Sequence, residues 1–295
     1  MAKDILVGVI GLDTSHAIEF PRRMQAPDLE AGMKVPGLRA ATCLRFATPF
    51  QNEEQLDGRQ RELEGWGVKV TRRLEEAVAG VDALMLEIND PAYHLEYFER
   101  CAGLGLPIFL DKPMADTIAS GRRIDAIARK HGTRVFSSSS LRFVQALGDA
   151  CAAVPAPALA SVYGPLGKAP AGSSVVWYGV HAFEMLQRGL GRGAAAVLAR
   201  RDTLGVTVIV QYPDARRGIV ELTEGSWLYG GCLRALDKAH PFVVNLDRAY
   251  TEQLGHIARF FQGGPAPVAM EDSLEVMALL DAAERSCQSG REVTI

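Results

Sequence analysis

The sequence predicts a two-domain α/β protein: a doubly wound parallel sheet, then an α+β domain with a largely antiparallel sheet. Three observations carry that prediction. Short continuous apolar runs such as ILVGVIGL, Ile5 to Leu12, are too short for helices and suit strands buried on both faces. Through the first half these runs alternate with helical segments, the order of right-handed βαβ units. After a proline- and alanine-rich stretch, Val154 to Ala171, the chain changes to separated strand-like runs and two closing helices.

The elements follow in order. DTSHAIEFPRRMQ follows the first strand, with Asp13, Thr14 or Ser15 placed to cap a helix that must tolerate or bend at Pro21. A second strand runs from Leu38 to Phe46, a polar helix from Gln51 to Glu64, and a short strand from Val68 to Val70. LEEAVAG is a helix closed by Gly80. The alternation continues with VDALMLEI, PAYHLEYFERCAGLG, PIFLD, TIASGRRIDAIARKHG and RVFSSSS. Beyond it, VVWYGVHAFEMLQRGLG reads as helix, AAAVLARRD, VTVIVQYPD and GIVELTEGSWLYG as strands, and Pro213-Asp214 and Gly230-Gly231 as turns. YTEQLGHIARFFQGG and MEDSLEVMALLDAAERSCQSG are the closing helices. The boundary falls near Ser138, giving domains 1–138 and 139–295.

Composition limits the partners. The 295 residues are 48% hydrophobic, and 32 basic against 35 acidic residues leave a net charge of -3 with no charge run, which argues against nucleic acid. Five scattered cysteines without a CxxC pair read as free thiols in a reducing cytoplasm. No apolar stretch is long enough to span a membrane, and the charged start MAKD precedes a strand-like run instead of a signal-peptide core. A cytoplasmic enzyme or binding protein with a small-molecule ligand is expected.

Six motifs then occur in a telling order: VGVIGL (Val7 to Leu12), INDPAYH (Ile88 to His94), LDKPMA (Leu110 to Ala115), SLRF (Ser140 to Phe143), GVHAFEML (Gly179 to Leu186) and the closing SCQSGREVTI. In this order the chain resembles the glucose-fructose oxidoreductase, inositol dehydrogenase and rhizopine-catabolism (Gfo/Idh/MocA) oxidoreductases. The resemblance implies an N-terminal Rossmann domain, a C-terminal domain built on an open sheet, a nicotinamide cofactor, a sugar-like or polyol substrate, and a homodimer or homotetramer packed through that open sheet. It also implies that Lys112 of the DKP motif is catalytic. On the residues alone, a lysine directly after a parallel strand, restrained by Pro113, sits on a rigid ligand-facing edge where its ammonium can meet a substrate oxygen and move a proton. An ion pair with Asp111 is the other reading. His181 is the second catalytic choice, with Glu184 one helical turn on to orient it; a structural histidine at a helix start is the alternative. His94 matches the loop histidine of the family, which is more often structural.

Two departures qualify the dehydrogenase reading. Aligned on Gly11, the dinucleotide fingerprint GxGxxG reads GLDTSH, so Asp13 stands where the backbone meets the diphosphate and His16 where helix and strand pack closely. Gly11, Asp13, Thr14, Ser15, His16, Asn89, His94, Asp111 and Lys112 are the expected cofactor-contacting positions. No acid closes the second strand; Arg45 stands there, which favours NADP over NAD through a 2′-phosphate unless it is merely a solvated strand-end arginine. Trp177 replaces the aspartate that related dehydrogenases carry four residues before the histidine. The same polar set, with Asp13 and His16 as its natural pair, also suits a cofactor-independent lyase, isomerase or hydrolase, or a noncatalytic ligand-binding protein with no dinucleotide. No metal ligand spacing is diagnostic.

Overall fold

A computed structural model describes residues 3–295; Met1 and Ala2, which head the stretch read as lacking a signal-peptide core, lie outside the described residues. The apolar runs of the first half become β1 (Ile5–Ile10), β2 (Leu38–Leu44), β3 (Lys69–Thr71), β4 (Ala83–Leu86), β5 (Ile108–Leu110) and β6 (Val135–Ser137). Between them lie α1 (His16–Gln25), α2 (Glu53–Gly65), α3 (Leu74–Ala77), α4 (His94–Ala102) and α5 (Ile118–His131). All six strands pair in parallel in the order β3-β2-β1-β4-β5-β6. The order reverses between β1 and β4, so the carboxyl ends of those strands form the topological switch point where such sheets take ligands. β4 and β5 are wholly buried, as continuous apolar runs require.

Local chemistry sets the helix starts. At α2, Asn52 accepts from the Gln55 amide while the Gln55 side chain accepts from the Asn52 amide, a complete capping box. At α1 it is Thr14 that takes the His16 amide, at 2.9 Å, and the helix runs through Pro21 to Gln25.

The second half contributes α6 (Gln145–Ala153), β7 (Leu159–Pro165), α7 (Ser174–Trp177), α8 (Val180–Leu190), β8 (Ala196–Arg201), β9 (Gly205–Gln211), β10 (Arg217–Thr223), β11 (Gly230–Arg234), β12 (Ala239–Val243), α9 (Ala249–Phe261), α10 (Met270–Ser289) and β13 (Val293–Thr294). Seven strands form a sheet in the order β12-β11-β7-β10-β9-β8-β13, antiparallel except for the parallel pair β7 and β10. Gly230-Gly231 is strand, not turn. A Cβ on Gly230 would lie 2.4 Å from the Tyr163 hydroxyl and one on Gly231 2.3 Å from the Ser161 carbonyl oxygen, so these glycines permit close strand approach. The strand β7 lies inside the stretch read as a proline-rich connection.

The chain divides into two units that change over between Ser137 and Ser138, with two short segments assigned across that boundary. Tyr250–Met270 belongs with the parallel sheet, while Asp116–Ile118 belongs with the seven-stranded one. The cause is packing within the first unit: the Phe260 ring meets that of Phe136 at 5.0 Å, Arg134 donates to the Phe260 carbonyl, and Arg23 donates to Thr251. Among the described residues no helix is long and apolar enough to cross a membrane.

Candidate functional site

The turn after β1 holds itself together. Gly11 has φ +107°, and a Cβ there would lie 2.3 Å from the Glu87 carbonyl oxygen, so only glycine fits the tight turn that directly follows β1. Asp13 is buried. Its carboxylate accepts from the Thr48 hydroxyl at 2.6 Å and from the Asn89 amide at 2.9 Å, while the Asn89 side chain donates to the Asp13 carbonyl. Arg59 donates to the carbonyl oxygens of Leu12 and Thr14. Burial raises the Asp13 carboxyl above its ordinary range, against the lowering effect of the Thr48 and Asn89 hydrogen bonds. The bridge therefore ties the loops that follow β2, β1 and β4, and Phe46 of the loop after β2 stacks on Tyr97 with centroids 4.5 Å apart.

His16 does not pair with Asp13. Its Nδ1 lies 2.8 Å from Asp111 Oδ1 and 3.8 Å from Glu87 Oε2, and the rings of Phe20 and Tyr250 stand 5.5 and 5.0 Å from the imidazole. The place of the third glycine is thus filled by an imidazole turned toward the carboxyl ends of β4 and β5. Glu87 was read only as part of a strand; a lone acid at the end of VDALMLEI was the available signal. Burial pushes its carboxyl well above the usual range, with Asp111 adding to the shift and Lys112 opposing it. Burial alone would also raise Asp111, but His16 and Lys112 hold it below the carboxylate range.

Lys112 follows β5 directly, with a cis bond to Pro113, and its backbone amide donates to Asp111 Oδ1 at 2.7 Å. The Asp111 carboxylate pairs with the His16 imidazole at 2.8 Å, and the Lys112 charge acts on it as well. His94 is fully buried, its Nε2 2.7 Å from the Ile88 carbonyl oxygen and its Nδ1 3.3 Å from that of Met114, so it fixes the loop backbone rather than facing a ligand. Ser15 lies 3.5 Å from the Tyr250 hydroxyl.

Arg45 is neither solvated nor presented to a phosphate. It is 4% exposed, and its guanidinium meets Glu53 and Asp57 at 2.6 Å each and donates to Gln60 at 2.7 Å. A 2′-phosphate at this strand end would meet two carboxylates, which removes the ground for preferring NADP.

In the second unit His181 and Glu184 both turn to one residue, Ser139. The Ser139 hydroxyl lies 2.7 Å from His181 Nδ1, and its amide donates to Glu184 Oε1 at 3.3 Å. Arg142 donates to Glu184 Oε2 at 3.0 Å and to Gln187, which in turn donates to Asp272. Burial raises the Glu184 carboxyl, while Arg142 lowers it. Glu184 therefore helps to position the Ser139 loop, whose hydroxyl in turn meets the imidazole. Ser139 and Arg142 border or belong to the SLRF motif, whose polar members had no assigned role in the sequence reading. The rings of Tyr178 and Tyr229 stand edge-on to His181 at 5.2 and 5.7 Å. Nearby, Trp177 and Trp227 line a cavity of about 600 Å³ with Lys168 and Glu224.

Comparison with known proteins follows this geometry. The model of the Gfo/Idh/MocA oxidoreductase family, described by its NAD-binding Rossmann fold, matches residues 46–139. Among solved structures the chain is similar to GenD2 of gentamicin A biosynthesis in complex with NAD, with TM-score 0.82, 15% identity, and coverage of 100% of this chain and 97% of that one. It is similar also to scyllo-inositol dehydrogenase of Lactobacillus casei with bound NAD(H) and scyllo-inositol, with TM-score 0.80, 14% identity, and 99% of each chain covered. A third, myo-inositol 2-dehydrogenase of Lactobacillus plantarum, gives TM-score 0.80 and 14% identity over 99% of this chain and 100% of that one. No curated protein sequence matches. The chain thus shares its fold with these solved structures over almost its whole length, and its segment 46–139 matches the sequence model of the Gfo/Idh/MocA family.

Proposed function

We propose that this chain is an oxidoreductase of the Gfo/Idh/MocA type, acting at a secondary alcohol, carbonyl or imine of a small sugar-like or cyclic substrate with a nicotinamide dinucleotide. The observation that carries the reading is Lys112, held directly after β5 at the ligand-facing edge of the parallel sheet, inside the segment the family model matches. The residues fit a dinucleotide in two respects. Gly11 keeps its tight turn, and the Asp13 carboxylate is engaged by Thr48 and Asn89 instead of being left to repel a diphosphate. Gly11, Thr14, Ser15 and the amino end of α1 would hold the diphosphate. The dinucleotide supplies the hydride acceptor or donor when bound. Lys112 donates a hydrogen bond to the reacting oxygen or nitrogen and carries the accompanying proton. His181, oriented by Ser139, is the proton-handling residue of the second unit. The aromatic cavity by Trp177 and Trp227 suits the apolar face of a ring. Association through the half-exposed face of the seven-stranded sheet, which carries Tyr163, Ile209 and Ile219, would give a homodimer or homotetramer.

One observation favours a second reading, a cofactor-independent acid/base enzyme: the Thr48–Asp13–Asn89 bridge ties together the very loops over which dinucleotides lie in this strand order. Calorimetric titration with NAD(H) and NADP(H) separates the two. Binding of either, with turnover lost in Lys112→Ala and His181→Ala but ligand binding kept, supports the oxidoreductase. No binding at millimolar dinucleotide ends that reading and leaves the acid/base one, and unchanged turnover in both variants removes the catalytic assignments.

A further inference from the structure

Three side chains in the first unit form a cluster that the oxidoreductase reading does not use. One donor atom each from His16, Glu87 and Asp111 lies within 4.8 Å of the others, and all three residues are buried. The cluster has more acceptors than donors. Both carboxylate oxygens of Glu87 and Oδ2 of Asp111 are buried without a hydrogen-bond partner. Native interiors leave few such atoms, because each forfeits its hydration for nothing in return. His16 Nδ1 and the Lys112 backbone amide both face Asp111 Oδ1, and Lys112 satisfies none of the three oxygens.

The geometry points to a site for a divalent first-row transition metal, with His16 Nδ1, Asp111 Oδ1 and the Glu87 carboxylate as its ligands. Two carboxylates and an imidazole are a donor set suited to zinc or its neighbours, whereas magnesium and calcium favour oxygen ligands with retained water. Around a tetrahedral ion with bonds of about 2.1 Å, donor atoms stand ~3.4 Å apart. The His16 Nδ1 to Glu87 Oε2 separation of 3.8 Å is close to that, and the His16 Nδ1 to Asp111 Oδ1 separation of 2.8 Å needs only a small opening. With both Glu87 oxygens unpartnered, bidentate binding would bring the donors to four, a closed structural site. The formal charge of two carboxylates would be neutralised by the ion. The Lys112 backbone amide already orients Asp111, the kind of outer contact that ligating carboxylates carry. Such an ion pins α1 to the carboxyl ends of β4 and β5, the packing that a glycine at position 16 would otherwise permit.

The test uses the full-length protein, stripped with chelator, reloaded with Zn²⁺ and dialysed. The expected result is about one equivalent of zinc retained per chain by elemental analysis, with a raised melting temperature. Co²⁺ loading should give visible d–d absorption. Glu87→Gln and His16→Asn should each lose zinc retention and the cobalt band, and circular dichroism reports whether they fold. Stoichiometric zinc held equally by folded Glu87→Gln, or no retention and no cobalt band in the wild type, overturns the site. If a variant does not fold, the wild-type cobalt spectrum decides: an intense visible band marks a four-coordinate ion held by the protein, whereas the weak band of six-coordinate aqueous Co²⁺ overturns the site. None of these readouts depends on dinucleotide binding.

Discussion

The Thr48 hydroxyl donates a 2.6 Å hydrogen bond to the Asp13 carboxylate, joining the loop after β2 to the turn after β1. With the Asn89 amide on the other oxygen, the bridge spans three loops at the switch point. Asp13→Asn keeps one acceptor oxygen and turns an NH₂ toward the other donor, so it should cost about 1–3 kcal/mol in urea denaturation. Asp13→Gly releases both partners and restores the second glycine of the fingerprint. It should tighten NAD(H) binding in calorimetric titration; weaker binding would make Asp13 a cofactor contact.

Arg45 should matter for stability and not for cofactor choice. Its guanidinium is buried, but Glu53 and Asp57 are half exposed, so solvent screens much of the attraction. Arg45→Ala is expected to lose roughly 1–2 kcal/mol in denaturant melts, mostly from lost packing and hydrogen bonds. The ratio of NADH to NADPH affinities should not move. A selective loss of NADPH binding would restore the 2′-phosphate role.

The parallel sheet was legible because its strands are short apolar runs that have no other stable place than between two helix layers. The site was legible only where a residue follows a strand, as Lys112 does. Asp13 and His16 were visible as intruders in the fingerprint, yet their partners were not: Thr48, Asn89 and Asp111 lie 35, 76 and 95 residues away, and no local period encodes such pairings. The same holds for Tyr250–Met270, a helical segment with no sequence mark of its return to the first unit. Gly230 and Gly231 misled because glycine marks turns and close strand approach alike.

The pH dependence of stability should carry the mark of Glu184. Its ordinary carboxyl pKa is 4.5, and burial raises it in the folded chain despite Arg142. Above that ordinary value the unfolded chain has released the proton while the folded one still holds it, so stability falls as pH rises through the window up to the folded pKa. Glu184→Gln has no proton to release. The stability advantage of the wild type over this variant should therefore shrink as pH rises from 4.5, measured by urea denaturation at a series of pH values. An advantage that grows over the same range would mean that the Arg142 charge outweighs burial.

Gly11 is the one glycine of the fingerprint that remains, and packing alone requires it. Its φ of +107° is a conformation that L side chains rarely adopt, and a Cβ would lie 2.3 Å from the Glu87 carbonyl oxygen and 2.9 Å from its carbon. Those atoms are backbone at the end of a buried strand, so no rotamer change relieves the overlap. The dihedral penalty is of order 1–3 kcal/mol before any displacement of β4 is counted. Gly11→Ala should thus destabilise the protein by about 3 kcal/mol or more, whether or not a dinucleotide is present. Thermal melts with and without NAD(H) check this. A melting temperature equal to that of the wild type in the absence of dinucleotide, with only ligand-induced stabilisation lost, would instead assign Gly11 to the cofactor and not to the sheet.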